Sequence, residues 1–303
     1  AHGFWTIAAV TAVFSIFWNA ALPQFEVATL SHLGDRSHQY GRVRVWGSVG
    51  FVGVVFGAGW LLEYGGIELL VPLMLALMVS ALLASLTVPE APPPRPAPPP
   101  PPGERLKARV AVGGVLVAAV LMQASHGPYY GFYSIHLEAH GYARPVVGGL
   151  WALGVMAEVG LFLVLGRLLP RTGARVLLIA SLALAALRWL MLAHGGTGLA
   201  LLLAAQVLHA ATFGAFHAAC LALIQALYPP QLHGRGQALY SGVGFGVGGA
   251  LGGLGAGYLW EYGGAVMSFD VAAVLAGAGA LVTAALVRLP ARALRPEMPA
   301  PAR

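Results

Sequence analysis

The residues with the clearest potential for chemistry are ionisable side chains placed inside long apolar runs. Glu158 lies in a stretch, 153–164, that carries no other charge. Charged groups are costly in hydrocarbon, so a residue of this kind usually faces a cavity or a polar partner. A carboxyl group in such a place can bind and release a proton, and we expect Glu158 to do so. The alternative is a neutral carboxyl group that only bonds a neighbouring helix.

Two further sets of polar and aromatic side chains recur at helical spacing. Residues three or four positions apart share one face of a helix, so each set could line a cavity for a ring-bearing solute. The equal alternative is hydrogen bonding between helices, worth about 0.6 kcal/mol per pair in membranes. The first set is Gln123, His126, Tyr130 and Tyr133, and the second is Gln206, His209, Phe213 and His217.

Three other ionisable residues are candidates for binding. Glu26 and Arg44 could form a pair, in which Arg44 could also grip a carboxylate through two parallel hydrogen bonds. Both lie near the predicted inner boundary, where long side chains reach for water, and the usual bias of basic residues to that side explains Arg44 equally well. Arg188 lies near the predicted outer side, against that bias. It is a candidate partner for Glu158 or for an anion.

These side chains must be positioned by membrane-spanning helices. The chain of 303 residues is 58% hydrophobic and 9% charged, which is too little charge to cover a water-facing surface. Segments in lipid must satisfy their own backbone hydrogen bonds, so long apolar runs predict helices rather than strands. We predict an all-α, polytopic membrane helix bundle with nine helices. They lie near 3–25, 43–62, 67–88, 109–134, 145–169, 174–194, 198–227, 236–260 and 265–288.

The basic residues predict an orientation in the membrane. If the chain starts outside and crosses nine times, all of the 17 Lys and Arg residues except Arg144 and Arg188 fall on the inside. This asymmetry indicates a bacterial-type inner (plasma) membrane protein with a cytoplasmic C-terminus. It also explains the net charge of +6, so no nucleic-acid partner is expected.

A proline-rich stretch and an internal repeat divide the chain. The run Pro98–Pro102 cannot be helical and predicts an extended spacer with three helices before it and six after it. Segments 41–66 and 234–264 both begin with Gly-Arg and end with Glu-Tyr-Gly-Gly. Two six-helix repeats of the same orientation are a known transporter plan. The alternative is coincidence in a glycine-rich sequence.

The repeat predicts four regions. Residues 1–88 would be the last three helices of an N-terminal six-helix half, and 89–108 a cytoplasmic linker. Residues 109–290 would be a complete C-terminal six-helix half, and 291–303 a cytoplasmic tail. On this interpretation the chain lacks the first three helices of the parent fold. The parent protein needs those helices for transport.

Several segments resemble one transporter family. Gly166–Arg175 resembles the short inside-loop signature of the major facilitator superfamily, with Pro170 in place of the usual acidic residue. Four others are similar to the phenylpropionate permease family and the related lactose permease group: Tyr40–Ser48, His126–Phe132, Leu150–Glu158 and Leu208–Phe213. The resemblance implies helices 4 to 12 of a twelve-helix fold. It also implies proton-coupled symport of a small organic solute, such as 3-phenylpropionate or another aromatic carboxylate, by alternating access.

The resemblance also suggests roles for individual residues. In lactose permease, residues at the matching positions serve binding and proton coupling, and we predict coupling by Glu158, His209 and Arg188. The glutamate that carries the proton there corresponds to Thr212 here, which leaves Glu158 as the carrier. The predicted substrate-binding residues are Glu26, Arg44, Gln123, His126, Tyr130, Trp151, Gln206 and His217.

Other functions are open alternatives. A sugar, nucleoside or drug transporter of the same fold would share these features, and a truncated fragment would not transport. A membrane enzyme is not predicted, because the sequence has no G-x-S-x-G or H-E-x-x-H motif. No cofactor or metal is expected, since no carboxylate shares the histidine face and Cys220 is the only cysteine. The expected partners are the solute, protons and lipid, and the chain is expected to be monomeric.

Overall fold

The computed structural model describes residues 24–26, 28–90 and 102–288, together with four isolated residues before them (3, 6, 10 and 14). Most of the first predicted helix, most of the proline-rich linker and the tail at 291–303 lie outside the described residues. The end of the predicted linker, residues 102–108, is helical instead of extended, because a proline is tolerated at the first position of a helix. In the described part the regular elements are helices, and no strand occurs there. The predicted all-α class is confirmed.

Ten α-helices carry the described chain. They are α1 Tyr40–Gly65, α2 Leu70–Leu86, α3 Pro102–Ser125, α4 Gly127–Ala139, α5 Arg144–Thr172, α6 Ala174–His194, α7 Leu199–His209, α8 Phe216–Leu227, α9 His233–Tyr240 and α10 Gly249–Leu286. Two π-helical segments continue the chain between neighbouring helices. Ala210–Ala215 joins α7 to α8, and Ser241–Gly248 joins α9 to α10.

The described residues contain seven helical stretches long and apolar enough to cross a membrane. The last of them, Pro230–Leu286, has 57 residues and would measure about 85 Å if straight, far more than one crossing needs. Gly264 interrupts it with a φ of 65° and a ψ of −159°, a conformation that only glycine adopts readily. The break falls between the two predicted spans 236–260 and 265–288. The polytopic helical fold is confirmed, and the total of nine crossings stays a prediction.

The loop predicted from Gly166 to Arg175 is shorter than expected. Helix α5 continues through Pro170 to Thr172, three residues beyond the predicted end, and α6 begins at Ala174. Gly173 alone makes the turn, with a φ of 78°. A glycine is needed there because this φ disfavours residues with a Cβ atom.

Helices α3 to α10 (the C-terminal bundle, residues 102–288) share one buried core. Its largest fully buried side chains include Trp189, Tyr129, Tyr133, Tyr240, Phe216 and Phe269. Helices α3 and α10 approach backbone to backbone, because a carbon added to Gly252 would lie 2.7 Å from the Cα of Ala124. Small residues of this kind let membrane helices pack closely.

Helices α1 and α2 with the residues before them (the N-terminal segment, 24–86) are joined to the bundle differently. Among the described side chains of α1, the buried ones are Gly41 and Ser48, both in its first half. No residue of α2, which is described in full, is buried. Gly41 packs so closely on α5 that an added carbon would collide with the carbonyl oxygen of Phe162. The N-terminal segment therefore meets the bundle mainly at one end of α1.

Candidate functional site

Three helices bring the predicted proton-coupling residues together inside the bundle. Arg188 of α6 is fully buried, and its donors are directed at α7. Its Nε donates to the Ala205 carbonyl oxygen at 2.7 Å, and its Nη2 donates to Gln206 Oε1 at 3.0 Å. Its Nη1 donates to His209 Nδ1 at 3.1 Å. Its Nη1 also donates to Thr212 Oγ1 at 3.4 Å, in the π-helical segment that follows α7. Arg188 is thus held by neutral acceptors of α7 and of that segment.

The arginine fixes the tautomer of His209. A guanidinium group only donates hydrogen bonds, so His209 Nδ1 must accept and the proton of the neutral ring lies on Nε2. This Nε2 is 3.2 Å from Oε1 of Glu158, which α5 supplies and which is also buried. The two groups are at ion-pair distance, although they are not aligned for a hydrogen bond. Arg188, His209 and Glu158 therefore form one line.

Two aromatic rings lie against the Arg188 guanidinium on adjoining sides, since their centroids are 5.7 Å apart. Its central carbon lies 4.2 Å from the Tyr129 ring centroid and 4.6 Å from that of Trp189. Such cation–π contacts stabilise a desolvated guanidinium. Arg188 reaches Glu158 through His209 rather than directly, which corrects the predicted pairing. Because its three nitrogens already donate to protein acceptors, the guanidinium is not free to bind a solute carboxylate in this arrangement.

An aromatic region lies beside this line. The Tyr129 and Trp151 ring centroids are 4.5 Å apart, and the Tyr129 hydroxyl donates to Gln206 Oε1 at 2.9 Å. The ring of Tyr130 lies nearly parallel to that of Trp151, with centroids 6.2 Å apart, and 5.7 Å from the His126 ring. Tyr130 is half exposed. The structure therefore brings four of the predicted binding residues together next to Glu158 and His209. They are His126, Tyr130, Trp151 and Gln206.

Sequence reasoning missed Tyr129, the tyrosine that faces the network. The prediction of Tyr130 assumed one uninterrupted helix from Gln123. Instead α3 ends at Ser125 and α4 begins at Gly127, and the His126 N–H bonds the Gln123 carbonyl in a tight turn. Tyr129 is consequently 1% exposed and Tyr130 51%.

Three of the predicted binding residues carry polar atoms that could meet a solute. Within the described part, Gln123 Nε2, His126 Nε2 and Gln206 Nε2 are buried without a hydrogen-bond partner. Buried polar groups are normally paired, so unpaired ones are candidate ligand contacts. The two amides are donors. His126 Nδ1 lies 2.9 Å from the Met122 carbonyl oxygen and must donate to it, so His126 Nε2 is an acceptor in the neutral ring.

The other predicted binding residues lie in a second cluster. His217 Nε2 is 2.7 Å from Glu26 Oε1, and both side chains are buried. The Tyr40 hydroxyl donates to the same oxygen at 3.1 Å. The suggested Glu26–Arg44 pair does not form a direct ion pair among the described side chains: Glu26 pairs with His217, and the Arg44 guanidinium lies 5.6 Å from the Phe162 ring centroid, from where its charge still acts on Glu26. Helix α1 turns Arg44 towards α5, whereas Tyr40 at its first position faces Glu26.

A bundle of membrane-spanning helices around a buried ionisable line is the architecture of a secondary transporter. The MFS_1 like family model matches residues 1–271, so the chain belongs to this family of the major facilitator superfamily. Membership identifies it as a multi-pass membrane transporter and not an enzyme. The predicted superfamily is confirmed.

Two curated relatives narrow the resemblance. The chain is 32% identical over 301 residues to a protein of Escherichia coli (strain K12) named probable 3-phenylpropionic acid transporter, which covers 98% of this chain and 75% of that protein. It is 26% identical over 272 residues to the maltose permease of Geobacillus stearothermophilus. That match covers 88% of this chain and 68% of the permease. The predicted similarity to the phenylpropionate permease branch is confirmed. The missing helices, the two halves and the cytoplasmic C-terminus stay predictions.

Proposed function

We propose that the protein is a proton-coupled symporter of a small aromatic carboxylate such as 3-phenylpropionate, working by alternating access. The observation that carries the proposal is the buried line of Arg188, His209 and Glu158 beside a cluster of aromatic rings. The relative of E. coli named as a probable 3-phenylpropionic acid transporter supports this substrate class.

Glu158 is the proton carrier in this proposal. A proton on His209 would have to occupy Nδ1, where it would face the N–H of Arg188 instead of accepting from it. Two opposed donors repel, so the arginine keeps the histidine neutral. A proton that arrives therefore goes to the Glu158 carboxylate. It cancels the negative charge at 3.2 Å from His209 Nε2 and changes the attraction that holds α5 against α7.

The solute would occupy the aromatic region. Its ring would stack on Tyr130, the half-exposed ring of the group, since aromatic faces attract one another in offset stacks. Its carboxylate would accept hydrogen bonds from the amide nitrogens of Gln123 and Gln206, which are two of the buried donors that have no partner among the described residues. Both contacts leave the Arg188 bonds intact.

Replacing the carrier carboxyl group tests the coupling. In the full-length protein in membrane vesicles, Glu158→Gln keeps the side-chain shape but cannot bind a proton. We expect accumulation driven by a pH difference to fall at least tenfold, while exchange of labelled for unlabelled solute persists. Glu138→Gln is the matched control, because Glu138 is exposed and pairs only loosely with Arg144 at 3.6 Å. Unchanged pH-driven accumulation in Glu158→Gln would refute the role.

A sugar is the alternative solute, since the second relative is named maltose permease and aromatic rings also pack against sugars. Competition separates the two classes. We expect unlabelled 3-phenylpropionate, and not maltose, to reduce uptake of labelled 3-phenylpropionate. Uptake of labelled maltose, with no uptake of labelled 3-phenylpropionate, would assign the site to sugars and leave the proton-coupling proposal to the Glu158→Gln assay.

A further inference from the structure

The second buried cluster links two parts of the chain that lie far apart in sequence. Glu26 belongs to the N-terminal segment, and His217 belongs to α8 in the C-terminal bundle. They are 191 positions apart in the sequence, but His217 Nε2 lies only 2.7 Å from Glu26 Oε1. Each side chain is only 6% exposed. A contact this short and this well buried keeps the two parts together at that point.

Tyrosines complete the hydrogen bonding on both sides of the contact. The Tyr40 hydroxyl donates to Glu26 within the N-terminal segment, and the Tyr240 hydroxyl lies 3.0 Å from His217 Nδ1 within the bundle. With Nε2 donating to Glu26, Nδ1 of a neutral His217 accepts from Tyr240. When Glu26 and His217 separate, Glu26 therefore keeps its hydrogen bond with Tyr40, and His217 keeps its hydrogen bond with Tyr240. That arrangement lowers the cost of opening, which is high for a buried charge left without partners.

The contact lies where the N-terminal segment meets the bundle. Beside it is a cavity of about 200 Å³, bounded by Leu30 and Tyr40 on one side and by Leu165, Ala218 and Gln225 on the other. The far half of α1 carries no buried residue among its described side chains. Parting the Glu26–His217 contact would therefore widen the cavity, with the close packing of Gly41 on Phe162 also to be broken.

We infer that Glu26 and His217 form a latch that closes the predicted cytoplasmic side of the transporter and must part in every transport cycle. This rests on the proposed alternating-access function, but it assigns the pair to closure and not to solute binding. In the closed arrangement the two side chains satisfy each other, so neither is available to a solute.

Cysteine labelling tests the latch without any transport assay. The chain has a single cysteine, Cys220, so Cys220→Ala followed by Ala218→Cys places one thiol on the cavity wall. The full chain is reconstituted in lipid nanodiscs and treated with N-ethylmaleimide. We expect Glu26→Ala or His217→Ala to raise the labelling rate at least tenfold. The double variant should label no faster than either single one, because each already removes the contact.

A second histidine–carboxylate pair supplies the matched control. His194 Nε2 is also 2.7 Å from Asp270 Oδ1, but both residues belong to the bundle and both are exposed. His194→Ala should change labelling at position 218 less than twofold. An equal increase in that variant would overturn the latch, and so would slow labelling in Glu26→Ala.

The native cysteine distinguishes opening from unfolding. Cys220 is fully buried in the bundle core, so in Glu26→Ala with Cys220 retained it should stay as unreactive as in the parent. Rapid labelling of Cys220 would mean that the pair holds the core together, which also overturns the latch. The labelling assay needs neither solute nor a proton gradient. Its result can therefore refute the latch while the coupling role of Glu158 stands, and the uptake assay can refute that role while the latch stands.

Discussion

The fork of hydrogen bonds made by Arg188 leads to a quantitative prediction for Arg188→Lys. The guanidinium donates from three nitrogens to Ala205, Gln206 and His209. A lysine ammonium ends one atom earlier and has no planar fork, so it can keep about one of these bonds. Hydrogen bonds from a charged donor contribute about 1.5 kcal/mol or more each. Loss of two of them predicts a free energy of unfolding lower by about 3 kcal/mol.

The assay uses the cysteine in the core of the bundle. Cys220 is fully buried, so it reacts with a maleimide only when the bundle opens. If opening and closing are fast, the labelling rate follows the open population, and about 3 kcal/mol corresponds to roughly a 150-fold faster reaction. Arg144→Lys is the control, because Arg144 is exposed and makes one loose ion pair; we expect less than a threefold change there. Labelling of Arg188→Lys at the rate of the parent would refute the argument that the fork stabilises the bundle.

Two further predictions concern packing and hydrogen bonding in the bundle. Gly252→Val places a carbon 2.7 Å from the Cα of Ala124, so thermal unfolding should show a loss of about 1–3 kcal/mol from overpacking. Gly253→Val, whose added carbon has no neighbour within 4 Å, should change the unfolding temperature little, and equal effects would contradict the contact. Tyr129→Phe removes the 2.9 Å bond to Gln206 and should lower stability by about 0.6 kcal/mol, the value for a hydrogen bond between membrane helices. Solute binding measured by fluorescence quenching should persist in this variant, since its ring remains.

The helices and the charged line were predictable because both depend on local sequence. Apolar runs of 20 residues or more indicate membrane spans wherever they occur, and a lone glutamate inside one is conspicuous. Glu158 is predictable for that reason. Arg188 is predictable because it lies against the bias of basic residues to the inner side, and His209 because it shares a helix face with other polar side chains. The ends and breaks of the helices are less predictable, because single residues decide them. Gly264 interrupts one long helical stretch between two predicted spans, and Pro170 does not end α5 where a proline usually would.

The partners of the site residues were less predictable, because they depend on tertiary structure. Periodicity assumes an unbroken helix, so the turn at His126 shifted the inward tyrosine by one position. The contact of Glu26 with His217 joins residues 191 positions apart, and no local pattern contains that information. Arg44 was assigned to Glu26 by its charge, whereas its packing over Phe162 is decided by the rotation of α1.

The enclosed guanidinium of Arg188 has a consequence for the response to membrane voltage. Work done by a membrane potential is about 2.3 kcal/mol per elementary charge carried across 100 mV, and it applies only to charges that travel. A guanidinium always carries its charge, and that of Arg188 is held by its hydrogen bonds to α7 and by contacts with Tyr129 and Trp189, so it is a stationary charge. The travelling charges would be one proton and one monovalent carboxylate, which cancel. Solute gradients set by such a cycle would follow the pH difference across the membrane and be nearly indifferent to its voltage.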